Sequence, residues 1–370
     1  GFFVASRDLA ALEQAARGAL ALERPRGALA DALVAQQRRR GAGRAAEAAE
    51  RLRDPESVAV VTGQQAVLFG GPLLVLYKAL AVRRLARELE QRRGAPVVPV
   101  FWVASDDHDL AEVRAVELLD VAGTLRSFRW APAVEPAPLP AARVALDESV
   151  GVLLDELAAA LPPSLGRDEA LAALRQAYQP GRTISEAFAC WLSALLPDVV
   201  VLDPADVALR AQLLPVLRRE IEEGSPTTRL ALETGARLEA AGYHQQVQVR
   251  PGFLNLFLVE EGQRRPLALE GDEIVVRGTA RRFTRAQALA ELEARPLDWS
   301  PGALLRPLAQ DLLLPSVAYV GGPAEIAYHA QIGPSYAHFG VPRPALVARP
   351  SLTLLEPPQL RALEAEGLPL

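Results

Sequence analysis

Apolar residues along the chain recur at two different spacings, and the change from one to the other marks its elements. From residue 7 to 53 they follow the three- and four-residue interval of helices among Ala, Leu, Glu and Arg, closing near Asp54-Pro55, where proline disfavours further helix. Ser57-Val58-Ala59-Val60-Val61 is a short β-rich run closed by Thr62-Gly63. After a glycine-rich turn, Leu73, Leu76, Leu80, Leu85 and Leu89 mark an amphipathic helix. Beyond Gly94, the run Val97 to Val103 reads as a second buried strand. Strand, helix and strand complete one βαβ unit, so the pattern predicts an α/β fold built on a parallel sheet.

The same reading divides the rest of the chain. Residues 1–130 hold the N-terminal helices and the first half of the core. Residues 131–140 (APAVEPAPLP) read as an extended linker into a helical insertion, 131–197, whose periodicity runs over 146–196. A strand at 198–203, with Asp203-Pro204 opening a new helix, returns to the core over 198–244. Alternation and the turns at Gly252, Gly262 and Gly271 predict a small antiparallel excursion within 245–300, with a short helix at 284–295. The second half of the core, 301–350, is a helix at 303–314, a strand from Ser316 to Val320, a Gly321-Gly322-Pro323 turn into a helix, and a last strand at Ala345 to Val347. Residues 351–370 read as the start of a helical tail.

Composition narrows the function classes. Half the residues are hydrophobic and 23% charged, and no apolar run approaches the roughly 18 to 20 residues of a membrane span. Gly1 to Leu20 lacks the basic flank and apolar stretch of a secretory signal, so a soluble, cytoplasmic protein is expected. A net charge of −5 gives no basic footprint for nucleic acid and favours small-molecule substrates. The single cysteine, Cys190, excludes internal disulfides and reads as a buried structural thiol on a helix. His244, His329 and His338 read as structural residues on surfaces without a carboxylate neighbour.

In open α/β sheets ligands bind beyond the carboxyl ends of the strands, and three polar clusters fall there, within 61–78, 101–109 and 306–328. The first, Gly63-Gln64-Gln65 through Gly70-Gly71-Pro72, sets backbone amides and two carboxamides before a helix whose positive end can hold an anion. It is neither a P-loop nor GxGxxG. Lys78, two turns inside that helix, reads as a surface residue. The second, Ser105-Asp106-Asp107-His108-Asp109 beside Trp102, can bind a cation, orient an amine, or serve as acid and base. Asp107, His108 and Asp109 are the catalytic candidates, and a metal stays unassigned. The third runs from Arg306-Pro307 and Gln310-Asp311 to Tyr319, Gly321, Gly322, Pro323, Glu325 and Tyr328. Here Arg306 could clamp a carboxylate and Glu325 receive an amine, or the two could simply pair.

Together, TGQQAVLFGGPLLVLYKAL, PVFWVASDDHDLAEV and LLRPLAQDLLLPSVAYVGGPAEIAYHAQIGP resemble, in order and spacing, the bacillithiol biosynthesis cysteine-adding enzymes of the BshC family. The resemblance covers nearly the whole chain. It implies a Rossmann-like core with inserted segments, and a ligase that joins L-cysteine to glucosaminyl-malate in the last step of bacillithiol biosynthesis. The family's motifs carry over onto Gly63, Gln64, Gln65, Gly71, Pro72, Asp107, His108, Asp109, Arg306, Pro307, Gly322, Pro323 and Glu325. It also implies a C-terminal coiled coil for dimerisation. Residues 359–370 carry no sustained heptads, so that element is expected to be absent and a homodimer is left open.

A glycine turn before a helix and a strand ending in an acidic cluster also resemble the layout of class I aminoacyl-tRNA synthetases and nucleotidylyltransferases. That likeness implies ATP or ADP at the site and adenylation of the cysteine carboxylate. Two other functions remain open at this point: a metal-dependent hydrolase using the acidic cluster, and a nucleotide-binding regulatory module.

Overall fold

In a computed structural model that describes residues 9–369, the apolar runs assemble into one five-stranded parallel sheet; residues 7 and 8 of the predicted helical stretch lie outside the described range. In chain order its strands are β1 (Val58–Gln64), β2 (Val97–Val103), β3 (Val200–Leu202), β4 (Ser316–Gly321) and β5 (Ala345–Ala348). They are arranged β5-β4-β1-β2-β3. The chain therefore builds outward from β1 in one direction through β2 and β3, then returns to the other side with β4 and β5. The carboxyl ends of β1 and β4 are neighbours at the point where the order reverses, which is where such sheets bind ligands.

Residue spacing explains why both faces of the sheet are dry. Val58 and Val60 enter one apolar cluster while Ala59 and Val61 enter another, as the two-residue period of a strand requires. Pro99 interrupts β2 without breaking it. The Pro96 carbonyl and the Ala104 amide both bond to β1, so by alternation the nitrogen of Pro99 faces the opposite side. There β3 pairs only with Val100 to Trp102, and no ladder bond is lost.

The helix α1 (Leu74–Arg93) follows β1 as expected, but its buried stripe is not the leucine stripe. Val75, Lys78, Ala79, Val82, Ala86 and Leu89 are buried, whereas Leu73 and Leu80 are 50% and 45% exposed. Small side chains let the helix lie close on the sheet, and the face they define carries Lys78 inward. The helix ends at Gly94, in the left-handed region at φ 65°.

Most other predicted elements are present. Helices Leu9–Ala21, Arg26–Arg39 and Gly43–Glu50 fill the N-terminal stretch, and Ser149–Ala160, Leu165–Ala177 and Ile184–Leu195 share an apolar cluster with Val75 and Ala79 of α1 and Phe101, Val103 and Val201 of the sheet. The helix expected at Asp203-Pro204 starts later, at Val207, because Asp206 is the residue whose carboxylate caps it, accepting from the Ala208 amide at 2.9 Å. The antiparallel excursion begins at Phe253 rather than 245 and forms a five-stranded sheet, into which Trp299–Pro301 returns after the helix Arg285–Ala294. A hairpin of Ala115–Leu119 with Leu125–Arg129 was not expected. No described helix is long and apolar enough to cross a membrane.

Candidate functional site

The ends of β1 and β4 are tied by the Thr62 hydroxyl, which donates to the Val320 carbonyl at 2.7 Å. Gly63 permits the equally close approach of β2, since a Cβ there would lie 3.0 Å from the Trp102 carbonyl oxygen. Beyond these ends opens a cavity of about 480 Å³, whose lining includes Gly63, Gln64 and Gln65 from the first cluster and Arg306, Tyr319, Gly322 and Glu325 from the third. Trp102 and Arg349 complete its walls. The first and third clusters thus meet in one site.

Lys78 organises it. Contrary to its surface reading, the side chain is 1% exposed, and its Nζ donates to the Gly63 carbonyl at 2.8 Å and to Gln64 Oε1 at 2.9 Å. It also pairs with Glu325 Oε2 at 2.5 Å. Burial holds the Lys78 ammonium below its usual range, against the opposing pull of Glu325. Glu325 is fixed in turn by the Tyr319 hydroxyl at 2.6 Å and the Gly322 amide at 2.8 Å. Glu325 sits at the third position of the helix α2 (Pro323–Gln331), where a carboxylate reaching back to the residue before the helix satisfies one of its free amides.

Arg306 does not pair with Glu325 or Asp311. It donates to the Tyr328 hydroxyl at 2.8 Å and to Gln310 Oε1 at 3.2 Å, while Asp311 accepts from Tyr336 at 2.6 Å. The lining therefore sets three cations, Lys78, Arg306 and Arg349, against one carboxylate, Glu325. Trp102 adds a buried indole N–H with no hydrogen-bond partner among the described residues. This donor set fits an anion bearing several oxygens.

Not every candidate faces the cavity. Gly70 and Gly71 adopt φ of 89° and 67°, and a Cβ at Gly70 would lie 2.2 Å from the Trp191 ring. Pro72 precedes the helix, which starts only at Leu74. That turn is packed against the insertion helix Ile184–Leu195 and does not line the cavity. Gly321 lies under Glu325, where a Cβ would be 3.1 Å from the glutamate Cβ. Ser105 is buried and donates to Asp203, joining the ends of β2 and β3.

The acidic cluster spreads its side chains among different partners. Asp106 pairs with buried Arg210 at 2.5 Å, and Asp109 caps the short helix Leu110–Val113. Asp107 Oδ2 accepts from Gln65 Nε2 at 2.6 Å, which joins this loop to the cavity wall. His108 is half-buried and meets Arg264, a residue of the second sheet, with Nδ1 3.2 Å from Nη1. Burial and then Arg264 lower its pKa, against Asp107 and Asp109. Among the described residues, no three His, Cys, Asp or Glu side chains converge as a metal-holding group.

Three other readings change. Cys190 is half-buried rather than buried, on a separate cavity with Arg40 and Ser193, and burial raises its thiol. His329 lies in the interior, 0% exposed, among the rings of Tyr319, Tyr328 and Tyr336. His338 does have a carboxylate neighbour, Glu223. His244 stays on the surface, 3.3 Å from Gln246. Lys78 was detectable in the sequence as a member of the Val75, Ala79, Val82, Ala86 stripe; Arg264 and Arg349 come from distant segments and carry no local signal.

Residues 2–350 match the family model described as bacillithiol biosynthesis BshC, N-terminal Rossmann-like domain. Curated relatives named "Putative cysteine ligase BshC" include that of Salinibacter ruber, 39% identical over 354 residues that cover 94% of this chain and 64% of the relative. Those of Koribacter versatilis and Chlorobaculum tepidum are 37% and 35% identical, covering 86% and 92% of this chain and 59% and 61% of theirs. The chain thus spans somewhat less than two thirds of these relatives' length.

Proposed function

The chain belongs to the BshC family of bacillithiol biosynthesis, and from that premise we propose that it is the core of a ligase joining L-cysteine to glucosaminyl-malate through an amide bond. The observation that best supports this reading is the cavity at the reversal point of the sheet, with three cations and an indole N–H unpartnered among the described residues around one carboxylate. Both substrates carry carboxylates, and an amide-forming ligase also handles phosphate. In this reading ATP supplies a phosphate-bearing leaving group to the cysteine carboxyl, by adenylation, and Arg306, Arg349 and the start of α2 hold its phosphates. The first glycine turn, proposed from the sequence as the anion site, gives way here to the second, whose helix opens on the cavity.

The rest of the site serves the amine. Gln65 carries the cavity wall to Asp107, so Asp107 and Asp109 would attract the ammonium of glucosaminyl-malate while the anion is held opposite. Because Asp106, Asp107 and Asp109 turn to separate partners, no observation favours a metal-dependent hydrolase.

Incubation with cysteine, glucosaminyl-malate and ATP, followed by mass spectrometry, tests the proposal. The expected products are the amide and AMP. Release of ADP would reject adenylation, and tight nucleotide binding without any amide would identify a regulatory module instead. Arg349→Met should weaken nucleotide binding, and Asp107→Asn the binding of glucosaminyl-malate alone; unchanged nucleotide affinity in Arg349→Met would remove the anion assignment.

A further inference from the structure

The contact between Arg264 and His108 fixes a proton as well as a position. A guanidinium has N–H donors and no lone pair to offer, and burial lowers Arg264 only to about 10, so it is charged at neutral pH. The atom that it meets at 3.2 Å, Nδ1 of His108, must then be the acceptor, which leaves the ring proton on Nε2. Asp107 is the competitor for Nδ1. Its Oδ1 is 3.9 Å away, outside hydrogen-bond reach, and already accepts the amides of His108 at 2.8 Å and Asp109 at 3.3 Å. Asp109 is turned to its helix cap.

Arg264 is itself immobilised from the second sheet. Its Nε donates to the Ser300 hydroxyl at 3.0 Å and Nη2 to the Pro301 carbonyl at 3.2 Å. The guanidinium stacks 3.7 Å over the Phe257 ring, whose centroid is 5.9 Å from the imidazole. With 8% of its surface exposed, it has little freedom to turn away.

His108 is not in the cavity lining but follows Asp107, which accepts from Gln65 of the cavity wall at 2.6 Å; we propose that Arg264 is a positioning residue that holds His108 as the neutral Nε2–H tautomer, so that His108 acts in the reaction as a hydrogen-bond donor to a substrate oxygen at that edge and not as its base. This rests on the ligase reading above. The amine lone pair forms the C–N bond at an acyl carbon activated by a phosphate leaving group, and the carbonyl π pair moves onto oxygen, toward the Nε2–H. The pair returns as the C–O bond to phosphate breaks. The substrate ammonium gives one proton to solvent before its lone pair can attack, and the proton released as the C–N bond forms goes to the Asp107 carboxylate. A neutral imidazole is suited to this role, since it donates without first having to lose a proton.

Nitrogen NMR of the labelled protein reads the tautomer without turnover. The expected spectrum at pH 7 has Nδ1 of His108 unprotonated and Nε2 protonated, and Arg264→Met should give a tautomer mixture. Kinetics reads the role. His108→Gln supplies an amide N–H near the Nε2 position but cannot take a proton, and should stay within about tenfold of wild-type kcat. His108→Ala should lose roughly 10² to 10³. Arg264→Met should lower kcat and add an ionisation to the pH–rate profile near the ordinary histidine value of about 6.5. An Nδ1–H tautomer, or a His108→Gln enzyme as inactive as His108→Ala, overturns the proposal. If wild-type protein makes no amide, the ligase reading fails by itself, and the spectrum still decides the tautomer.

Discussion

Two turns in this molecule are nearly identical in sequence and opposite in use. Each follows a strand of the parallel sheet with Gly-Gly-Pro and leads into a helix, at Gly70-Gly71-Pro72 and at Gly321-Gly322-Pro323. In the first, both glycines have positive φ and the chain folds back against Trp191 and Val67. In the second, Gly322 has an ordinary φ of −74° and its amide is held by Glu325 at the edge of the cavity. The first needs glycine for backbone conformation, whereas the second has an ordinary backbone and at Gly322 a Cβ would meet only ordinary contacts at the cavity edge. A motif of glycines before a helix therefore specifies a turn, and the side chains that converge on it decide whether it becomes a site.

Substitutions should separate the two turns. The largest effect is expected at Gly70→Ala, where the new methyl would overlap the Trp191 ring in a left-handed backbone. We expect on the order of 4 kcal/mol lost in urea unfolding, or failure to fold. A loss under about 1 kcal/mol would show that the first turn is as tolerant as the second.

Next in size is Lys78→Met, which leaves the Glu325 carboxylate without its buried partner and should cost roughly 3 kcal/mol. Adding Glu325→Leu should recover part of that loss. If the two changes are simply additive, Lys78 and Glu325 are not one unit, and the second turn is held by something else.

A third test uses pH. Burial holds His329, inside α2, well below the ordinary 6.5, with Arg306 and Arg343 acting in the same direction. The unfolded chain therefore takes up a proton near pH 6.5 that the folded chain refuses. Stability from this group is complete above that pH and falls as the pH drops, by about 1.4 kcal/mol per unit, until the folded pKa is reached. The difference between wild type and His329→Phe over pH 5 to 7 isolates this contribution, and parallel profiles would contradict it.

The smallest effect belongs to Gly322→Ala. A Cβ there has only ordinary contacts, 3.4 Å to Arg349 Nε and to Glu325 Oε2, so stability should change by less than about 1 kcal/mol. Calorimetry should nevertheless show weaker binding of ATP or glucosaminyl-malate. Unchanged binding would mean that this turn, like the first, is only structural.

The parallel sheet, though not its strand order, was legible because Val58 to Val61 and Val97 to Val103 are apolar enough to be buried on both faces, as in a covered parallel sheet. Which face of α1 turns inward was less so. Leucine spacing pointed to Leu73 and Leu80, whereas close packing on the sheet selected Val75, Ala79 and Val82 and brought Lys78 with them. The acidic cluster was visible as a cluster, yet successive residues on a tight loop point apart, and their partners Arg210, Gln65 and Arg264 are set by tertiary docking. Arg264 sits on the antiparallel sheet, about 156 positions from His108. Nothing local in either segment announces that pairing.

Pro99 has a consequence for the sheet away from the cavity. The short β3 leaves the first half of β2 without a strand partner, and an unpaired strand edge is a template on which other chains can add. With proline there, the rim presents carbonyl oxygens but lacks the amide hydrogen that an incoming strand would need to keep its ladder in register. The Glu90 carboxylate takes the Val97 amide at 3.1 Å, so proline and Glu90 together leave this edge short of the donors that edge-to-edge association needs.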